Sequence, residues 1–273
     1  MKRIMTIQDI SCVGKCSLTV ALPIISAAGV EAGVLPTAVL STHTAFPKFT
    51  FRDLTDDMPA IKDHWIKENI KFDAIYTGYL GSTKQIDYVA DLFAETGAEG
   101  CVKVVDPAMA DNGKLYPLFD DAYVAAMRTL CAKADYIVPN ITEACFLCDA
   151  PYKTEYDRSY IDLLLEKLTA QGCKNIILTG VSYAAGKTGI VVFENGQYSY
   201  YEHELLPNSC HGTGDIYASA FVGAFVRGKS AYDAAAIAAN YTMDCIRCTA
   251  KLDNHWYGAA FEPVLGKLIE ALQ

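Results

Sequence analysis

The first forty residues carry a β-α-β pattern, which reads RIMTI (3–7), SLTVALPIISAA (17–28) and VLPTAVL (34–40). The outer two segments are short and rich in apolar and β-branched residues, as buried strands are. The middle segment has an apolar face at helical spacing and ends at Gly29, a residue that commonly follows a helix. Two strands joined through a helix run parallel in one sheet, so this pattern predicts a parallel sheet.

The same alternation continues along most of the chain. Further strands are predicted at 74–76, 102–105, 136–138 and 175–178, with helices at 55–69, 84–96, 120–131, 157–171, 215–227, 231–248 and 261–272. Asn195-Gly196 lies between two strand-like segments, 189–194 and 198–203, and predicts a hairpin. We therefore expect one α/β domain over residues 1–273, with a doubly wound, mostly parallel central sheet flanked by helices on both faces.

The composition limits the classes of partner that this protein is expected to bind. The chain has 273 residues and a formal charge of −9, without a basic run of five residues, which disfavours nucleic-acid binding. No uninterrupted apolar stretch reaches about 18 residues, and the N-terminal residues lack the apolar core of a secretion signal, so we expect no membrane span. Most of the ten cysteines fall in apolar runs, as reduced buried thiols do. These features predict a cytoplasmic protein with a small-molecule partner.

Polar or glycine-bearing residues follow one predicted strand after another. In open α/β sheets, ligands bind beyond the carboxyl ends of the strands, so these residues are expected to meet at one sheet edge. They are Gln8-Asp9, Ser41-Thr-His-Thr44, Thr77-Gly-Tyr79, Asp106-Pro107, Pro139-Asn140 and Thr179-Gly180.

A glycine-rich turn, NSCHGTGD (208–215), precedes the apolar run 216–226. Gly212 and Gly214 would let successive amides converge at a helix N-terminus, which forms an anion site without Lys or Arg. Asp215 could then act as a base beside a transferred phosphoryl group. The alternative is a structural turn in which Asp215 merely caps the helix, and a Gly-x-Gly-Asp motif alone does not decide between the two.

In its ordered motifs the chain resembles the ribokinase-like superfamily and, within it, the pyridoxal kinases. The resemblance covers nearly the whole chain, and its motifs are STHT (41–44), YTGY (76–79), VDP (105–107), PNITE (139–143) and GTGD (212–215). It implies a kinase that uses ATP and Mg²⁺, often with K⁺, and that commonly forms a homodimer. The expected reaction is phosphorylation of the 5′-hydroxymethyl group of pyridoxal, pyridoxamine or pyridoxine.

The resemblance also implies roles for individual residues. Asp215 would be the catalytic base, with Gly212 and Gly214 lining the anion hole. The expected nucleotide and metal contacts are Asp106, Asn140, Glu143, Thr179, Thr213 and Tyr116, of which Asp106 and Glu143 would order Mg²⁺. The expected vitamer contacts are Thr44, Tyr79 and Asp9 or Ser11.

Several alternatives stay open. Asn140 and Glu143 have the spacing of a capping box, a role that could coexist with metal binding. His43 and His211 lie inside the motifs but are left out of the catalytic set. Asp9, in a compact segment before Gly14, is somewhat like the hydroxymethylpyrimidine kinases of the superfamily. A hydroxymethylpyrimidine kinase and a non-catalytic B6 carrier or sensor are therefore the competing functions.

Overall fold

The computed structural model describes residues 1–208 and 210–273; Ser209, within the predicted glycine turn, lies outside them. The strands are β1 (Arg3–Ser11), β2 (Glu31–Leu40), β3 (Phe51–Asp53), β4 (Phe72–Thr77), β5 (Gly97–Val105), β6 (Ala110–Asp111), β7 (Lys114–Leu115), β8 (Tyr136–Ile137), β9 (Asn175–Val181), β10 (Lys187–Glu194) and β11 (Gln197–Glu204).

The helices alternate with these strands. They are α1 (Leu18–Ala27), α2 (Met58–Lys67), α3 (Thr83–Glu95), α4 (Asp121–Lys133), α5 (Ile141–Leu147), α6 (Arg158–Ala170), α7 (Thr213–Val226), α8 (Ala231–Thr249) and α9 (Leu265–Ala271), with a 3₁₀ turn at Glu262–Val264.

Within the described residues, nine strands form one sheet in the order β11-β10-β9-β8-β5-β4-β1-β2-β3. The pairs from β9 across to β2 are parallel, whereas β3, β10 and β11 pair antiparallel. Strand order reverses at β1, because β2 lies on one side of it and β4, β5 and β8 follow on the other. A reversal of this kind opens a crevice at the carboxyl ends of the strands, where ligands bind.

Alternating side chains of the sheet build two apolar cores. On β1, Met5 and Ile7 join the core that includes α2 to α6, and Ile4 joins the core formed with α1, α7, α8 and α9. All three side chains are buried, as expected for a strand covered on both faces. The predicted arrangement, a mostly parallel sheet with helices on both faces, is confirmed.

Most of the predicted elements are present with shifted ends. The hairpin at Asn195-Gly196 is confirmed, and both residues have positive φ (51° and 76°), which matches the twist of the flanking strands. The helix predicted over 261–272 is wrong at its start, because Pro263 lies in a 3₁₀ turn and α9 begins only at Leu265. The two- and three-residue strands β3, β6 and β7 were not predicted, since segments so short show no periodicity.

In the described part of the chain, no helix combines the length and apolar character that crossing a bilayer requires.

Candidate functional site

The polar residues predicted to follow the strands meet at the carboxyl edge of the sheet. The amide of Asp106, just beyond β5, donates to the carbonyl of Thr77 at the end of β4 (3.1 Å). Asn140, beyond β8, forms a parallel bridge with Thr179 on β9. Asp9 lies near the end of β1, next to the point where strand order reverses. The sheet therefore brings these five residues to its carboxyl edge.

The glycine turn enters the same region through the start of α7. Gly212 is the N-cap residue and is left-handed (φ 77°), and a Cβ there would lie 1.7 Å from the carbonyl oxygen of Lys15. Any residue with a Cβ at position 212 would therefore require the backbone to move. Thr213 donates its hydroxyl to the carbonyl of Cys210 (3.3 Å). The turn is thus packed directly on the loop that precedes α1.

Gly214 differs from Gly212 in its surroundings. No heavy atom of the described residues lies within 4 Å of a Cβ built on Gly214, and the residue is exposed. The space in front of the first turn of α7 is therefore open. The first amides of a helix lack partners within the helix, so this opening gives a ligand access to N–H donors and to the positive end of the helix dipole.

Asp215 is not the N-cap of α7, so the alternative of a simple capping aspartate is wrong. It is the third residue of the helix, and its Oδ2 accepts a hydrogen bond from the backbone N–H of Ser17 at 2.9 Å. Burial raises the pKa of Asp215 to about 7; the Ser17 amide lowers it and the charge of Asp9 adds to the increase. A carboxyl group with this pKa can accept and release a proton near neutral pH.

Asp106 and Glu143 are two further buried acids in this region. Burial raises the pKa of Asp106 well above its ordinary value, and the charges of Glu143 and Asp215 raise it further. Burial also raises the pKa of Glu143, to about 8, although backbone amides oppose this increase. The charges of Glu143 on α5 and Asp215 on α7 thus both act on Asp106, in the loop after β5.

Glu143 is held rigidly by the predicted capping box. The side chain of Asn140 accepts from the amide of Glu143 (2.9 Å), while Glu143 Oε2 accepts from the amide of Asn140 (2.9 Å). Glu143 Oε1 also accepts from the amide of Met109 (3.1 Å). A capped helix thus fixes a carboxylate at the sheet edge, and the capping role does not remove it from the site.

The predicted nucleotide side contains a small hairpin, β6–β7. Its turn, Asn112-Gly113, has two positive φ angles, and the amide of Gly113 donates to the hydroxyl of Thr142 on α5 (3.1 Å). Tyr116 follows β7, is 40 % exposed, and has a pKa raised by burial and then by the charges of Glu143 and other acids. Thr179 donates its hydroxyl to the carbonyl of Pro139 (3.3 Å).

The residues of the predicted vitamer side differ in their exposure. Asp9 is 4 % exposed, and its carboxylate accepts from the hydroxyls of Ser17 (2.5 Å) and Ser11 (3.1 Å). Tyr79 is half-buried against Phe119, and burial together with the charge of Asp9 raises its pKa to about 12. Thr44 is exposed at the rim of this region.

His43 and Ser17 are site residues that the sequence did not assign. His43 is buried; its Nδ1 accepts from the amide of Ala45 (3.2 Å) and its Nε2 lies 2.9 Å from the carbonyl of Tyr257, which requires a neutral ring protonated on Nε2. Burial lowers the pKa of His43 accordingly. His211, whose ring centroid is 5.5 Å away, is exposed. For Ser17 the sequence signal was only a serine at the start of a predicted helix.

The acid pair fits a divalent cation that is shared with phosphate. Among the described residues, no group of three or more His, Cys, Asp or Glu side chains is arranged to enclose a metal by itself. Mg²⁺ is commonly held by one or two carboxylates, with phosphate oxygens and water completing its shell. Asp106 and Glu143 supply that number of carboxyl groups. Burial raises the pKa of both and so disfavours their ionised forms, a cost that a bound cation would offset.

Comparison with known proteins agrees with this geometry. Residues 24–260 match the model of the phosphomethylpyrimidine kinase family, which is most of the chain. The chain belongs to this family. Its structure is similar to that of a Bacteroides thetaiotaomicron protein assigned as a phosphomethylpyrimidine kinase, with a TM-score of 0.93. The two sequences are 39 % identical, and the match covers 98 % of this chain and 93 % of that one. Another crystal form of that protein contains pyridoxal.

Two pyridoxal kinases are also similar. The Lactobacillus plantarum enzyme has a TM-score of 0.91 at 31 % identity, over 99 % of this chain and 97 % of that one. The Dictyostelium discoideum enzyme is 25 % identical over 82 % of this chain and 78 % of its own length. These matches confirm the resemblance to pyridoxal kinases, the ribokinase-like α/β fold and the assignment as a kinase.

We predict that the buried acids make the ligand-free protein less stable as pH rises. The folded state keeps protons on Glu143 and Asp106 to higher pH than the unfolded chain does, so the stability that these groups contribute falls as pH rises above the ordinary carboxyl pKa. The contribution of Glu143 is lost once pH passes about 8. Mg²⁺ should therefore raise Tm more at pH 8.5 than at pH 6. Each kcal/mol by which Mg²⁺ binding raises the free energy of unfolding corresponds to about 2–4 °C in Tm. Thermal unfolding with and without Mg²⁺ at both pH values measures this effect.

Asp106→Asn should reduce both the loss of Tm with pH and the gain from Mg²⁺, because it removes one of the two acids. Glu155→Gln, which removes an exposed acid outside the site, is the matched control and should leave both unchanged. An equal response to Mg²⁺ in the Asp106→Asn and wild-type proteins would contradict the assignment of a cation to this pair.

Proposed function

We propose that this kinase uses ATP to phosphorylate the 5′-hydroxymethyl group of a B6 vitamer, with Asp215 as general base. The observation that carries the proposal is the position of Asp215: a carboxyl group with a pKa near 7 stands in the first turn of a helix whose N-terminus is open. The pyridoxal in one crystal form of the Bacteroides protein and the pyridoxal kinases among the relatives support a B6 substrate.

The proposed reaction needs little covalent chemistry from the protein. The oxygen of the substrate alcohol forms a bond to the γ-phosphorus of ATP, the bond from that phosphorus to the β,γ-bridging oxygen breaks, and ADP leaves. The proton of the alcohol passes to Asp215. The amides of Gly212, Thr213 and Gly214 would stabilise the charge on the transferred group, because helix N-terminal N–H groups and the helix dipole both favour an anion there.

The nucleotide and its metal would be held by residues beyond β5, β8 and β9. Asp106 and Glu143, with Asn140, would hold Mg²⁺, which when bound offsets the charge of the phosphates. Thr179 and Thr213 would contact the phosphates, and Tyr116 would cover the nucleotide from the β6–β7 hairpin. The ADP bound to the Leishmania donovani pyridoxal kinase is consistent with ATP as the donor. K⁺ remains an expectation from the resemblance.

The vitamer would lie between the Asp215 turn and the ends of β1 and β4. Tyr79 offers an aromatic face beside Asp9, and Thr44 offers a hydroxyl at the rim. Ser11 and Asp9 would form the polar floor under the ring.

The proposal also includes the setting in which the kinase works. All ten cysteines are free thiols, five of them buried, which is consistent with a reducing cytoplasm where ATP is available. We keep the homodimer and the single kinase domain over residues 1–273 as proposals derived from the resemblance.

A hydroxymethylpyrimidine kinase is the second candidate. The family model and the Bacteroides relative both carry the phosphomethylpyrimidine kinase name, and Asp9 introduces an acid in a segment that departs from many pyridoxal kinases. A non-catalytic B6 carrier is disfavoured, because binding a vitamer does not require an open helix N-terminus beside a carboxyl group with a raised pKa.

We predict that Asp215→Asn folds normally and loses about 10²–10⁴-fold in kcat. The asparagine can still accept the hydrogen bond from Ser17, but it cannot take the proton of the alcohol. For the wild-type protein, kcat/KM should rise with pH through about 7, because the base must be ionised to act. Steady-state rates from pH 5.5 to 9 measure both effects.

The control for this experiment is Asp63→Asn, which removes an exposed acid on α2 and should leave the rates unchanged. Wild-type kcat in Asp215→Asn would refute the assignment of the base.

The two glycines of the turn should respond differently to alanine. Gly212→Ala introduces a Cβ at positive φ against the Lys15 carbonyl and should cost about 1–3 kcal/mol of stability. Gly214→Ala should leave Tm unchanged or higher, since the position is open and helical, yet raise KM for ATP or lower kcat at least tenfold by filling the phosphate space. Unfolding curves and ATP kinetics distinguish the two, and unchanged ATP kinetics in Gly214→Ala would contradict the anion site.

Substrate choice is tested by competition. We expect kcat/KM for at least one of pyridoxal, pyridoxamine and pyridoxine to exceed that for hydroxymethylpyrimidine by at least tenfold, measured as the ratio of phosphorylated products from mixed substrates. The opposite ratio would favour the pyrimidine kinase, and vitamer binding without ATP turnover would favour a carrier.

A further inference from the structure

Ser17 has an unusual conformation at the start of α1. It is the N-cap residue, with φ 54° and ψ −132°, a backbone region that residues with a Cβ rarely adopt. Serine at this position ordinarily caps the helix with its hydroxyl, yet Ser17 forms no side-chain capping bond. The residue thus carries backbone strain and lacks a stabilising cap. Both costs indicate that another contact holds it in place.

That contact is with Asp9. The hydroxyl of Ser17 donates to Asp9 Oδ1 at 2.5 Å, and the hydroxyl of Ser11 donates to Asp9 Oδ2 at 3.1 Å. All three side chains are buried, with exposures of 5 %, 4 % and 1 % for Ser17, Asp9 and Ser11. A hydrogen bond to a carboxylate in such surroundings is strong and directional, so Asp9 restricts the rotation of Ser17.

The backbone of Ser17 in turn holds Asp215. Its N–H donates to Asp215 Oδ2 at 2.9 Å, and among the described residues no other donor reaches this carboxylate. One oxygen of Asp215 is therefore anchored and the other remains for a proton. Since the direction of an N–H bond follows from the backbone angles, the strained conformation of Ser17 determines how Asp215 is oriented.

We propose that Asp9 and Ser17 are positioning residues for the general base: Asp9 holds the hydroxyl of Ser17, and Ser17 through its amide orients Asp215 toward the substrate alcohol. This inference rests on the proposed role of Asp215. Both carboxylate oxygens of Asp9 already accept hydrogen bonds from serine hydroxyls. Asp9 is therefore assigned a positioning role in addition to its proposed place beneath the vitamer ring.

The charges around Asp215 provide a readout for this role. The titratable groups that face it are Cys16 from the loop before α1, Asp9 on β1, Tyr76 on β4, Asp106 after β5 and Tyr116 after β7. Of these, Asp9 raises the pKa of Asp215, whereas the Ser17 amide lowers it. Loss of the charge and loss of the amide alignment should thus move the pKa of Asp215 in opposite directions.

The test compares Asp9→Asn and Ser17→Ala with wild-type and Asp215→Asn proteins in one kinase assay at fixed Mg²⁺. Both variants should lose about tenfold or more in kcat, as small displacements of a reacting group do, with KM for the vitamer changed less than kcat. The rising limb of the pH–rate profile should shift to higher pH in Ser17→Ala, because the Ser17 amide then no longer aligns with Asp215. In Asp9→Asn the loss of the Asp9 charge opposes that shift, so the limb should lie at lower pH than in Ser17→Ala. Thr19→Val removes a hydroxyl from the same turn that donates to the Cys16 carbonyl, and it should change neither quantity.

The outcomes separate this inference from the proposed function. If Asp215→Asn is inactive while Asp9→Asn and Ser17→Ala keep the wild-type kcat and pH profile, the positioning role is wrong and the base assignment stands. If Asp215→Asn is as active as wild type, the base assignment itself fails, and the positioning role falls with it. In a protein without measurable turnover, NMR titration of the Asp215 carboxyl carbon replaces the rates: a higher pKa in Ser17→Ala supports the positioning role, and an unchanged one overturns it.

Discussion

The close approach of Gly212 to the carbonyl of Lys15 is the constraint on which the candidate site depends, since a Cβ at this position would lie 1.7 Å from the carbonyl oxygen. This close approach joins the start of α7 to the loop before α1, two parts of the chain that are far apart in sequence. Through this contact the amide of Ser17 reaches Asp215. The proposed base and the open amides belong to α7, whereas the groups proposed to orient that base come from β1 and its following loop. Without the left-handed turn these two halves would not meet, which explains why glycine is required at this position.

Buried negative charge is the second constraint on the site. Asp9, Asp106, Glu143 and Asp215 lie at one edge of the sheet, and burial raises the pKa of each. Their partners differ. Serine hydroxyls engage both oxygens of Asp9 and backbone amides both oxygens of Glu143, whereas a single amide holds Asp215. Of the acids with such partners, Asp215 is the one suited to exchange a proton, and the acids beyond β5 and in α5 are suited to a cation.

The predictions made from the sequence agree with the structure where the interactions involved lie within a few residues. The parallel sheet, the hairpin at Asn195-Gly196 and the capping box of Asn140 and Glu143 rest on patterns within a few residues, and these predictions match the structure. The interpretation of Asp215 as a possible helix cap failed for a local reason: α7 begins at Thr213, two residues earlier than the predicted helix. The strands β3, β6 and β7 are too short for periodicity to reveal.

The sequence by itself determined the fold class and the identity of the polar groups, because burial pattern, turn residues and ordered motifs are properties of neighbouring positions. Only the tertiary structure decided how those groups are used. The bond between Ser17 and Asp215 spans 198 positions, and the diversion of the Ser17 hydroxyl from its helix to Asp9 depends on a strained backbone that no local pattern records. Contacts of this kind arise from the packing of α1 against α7, which brings together residues that are far apart in the sequence.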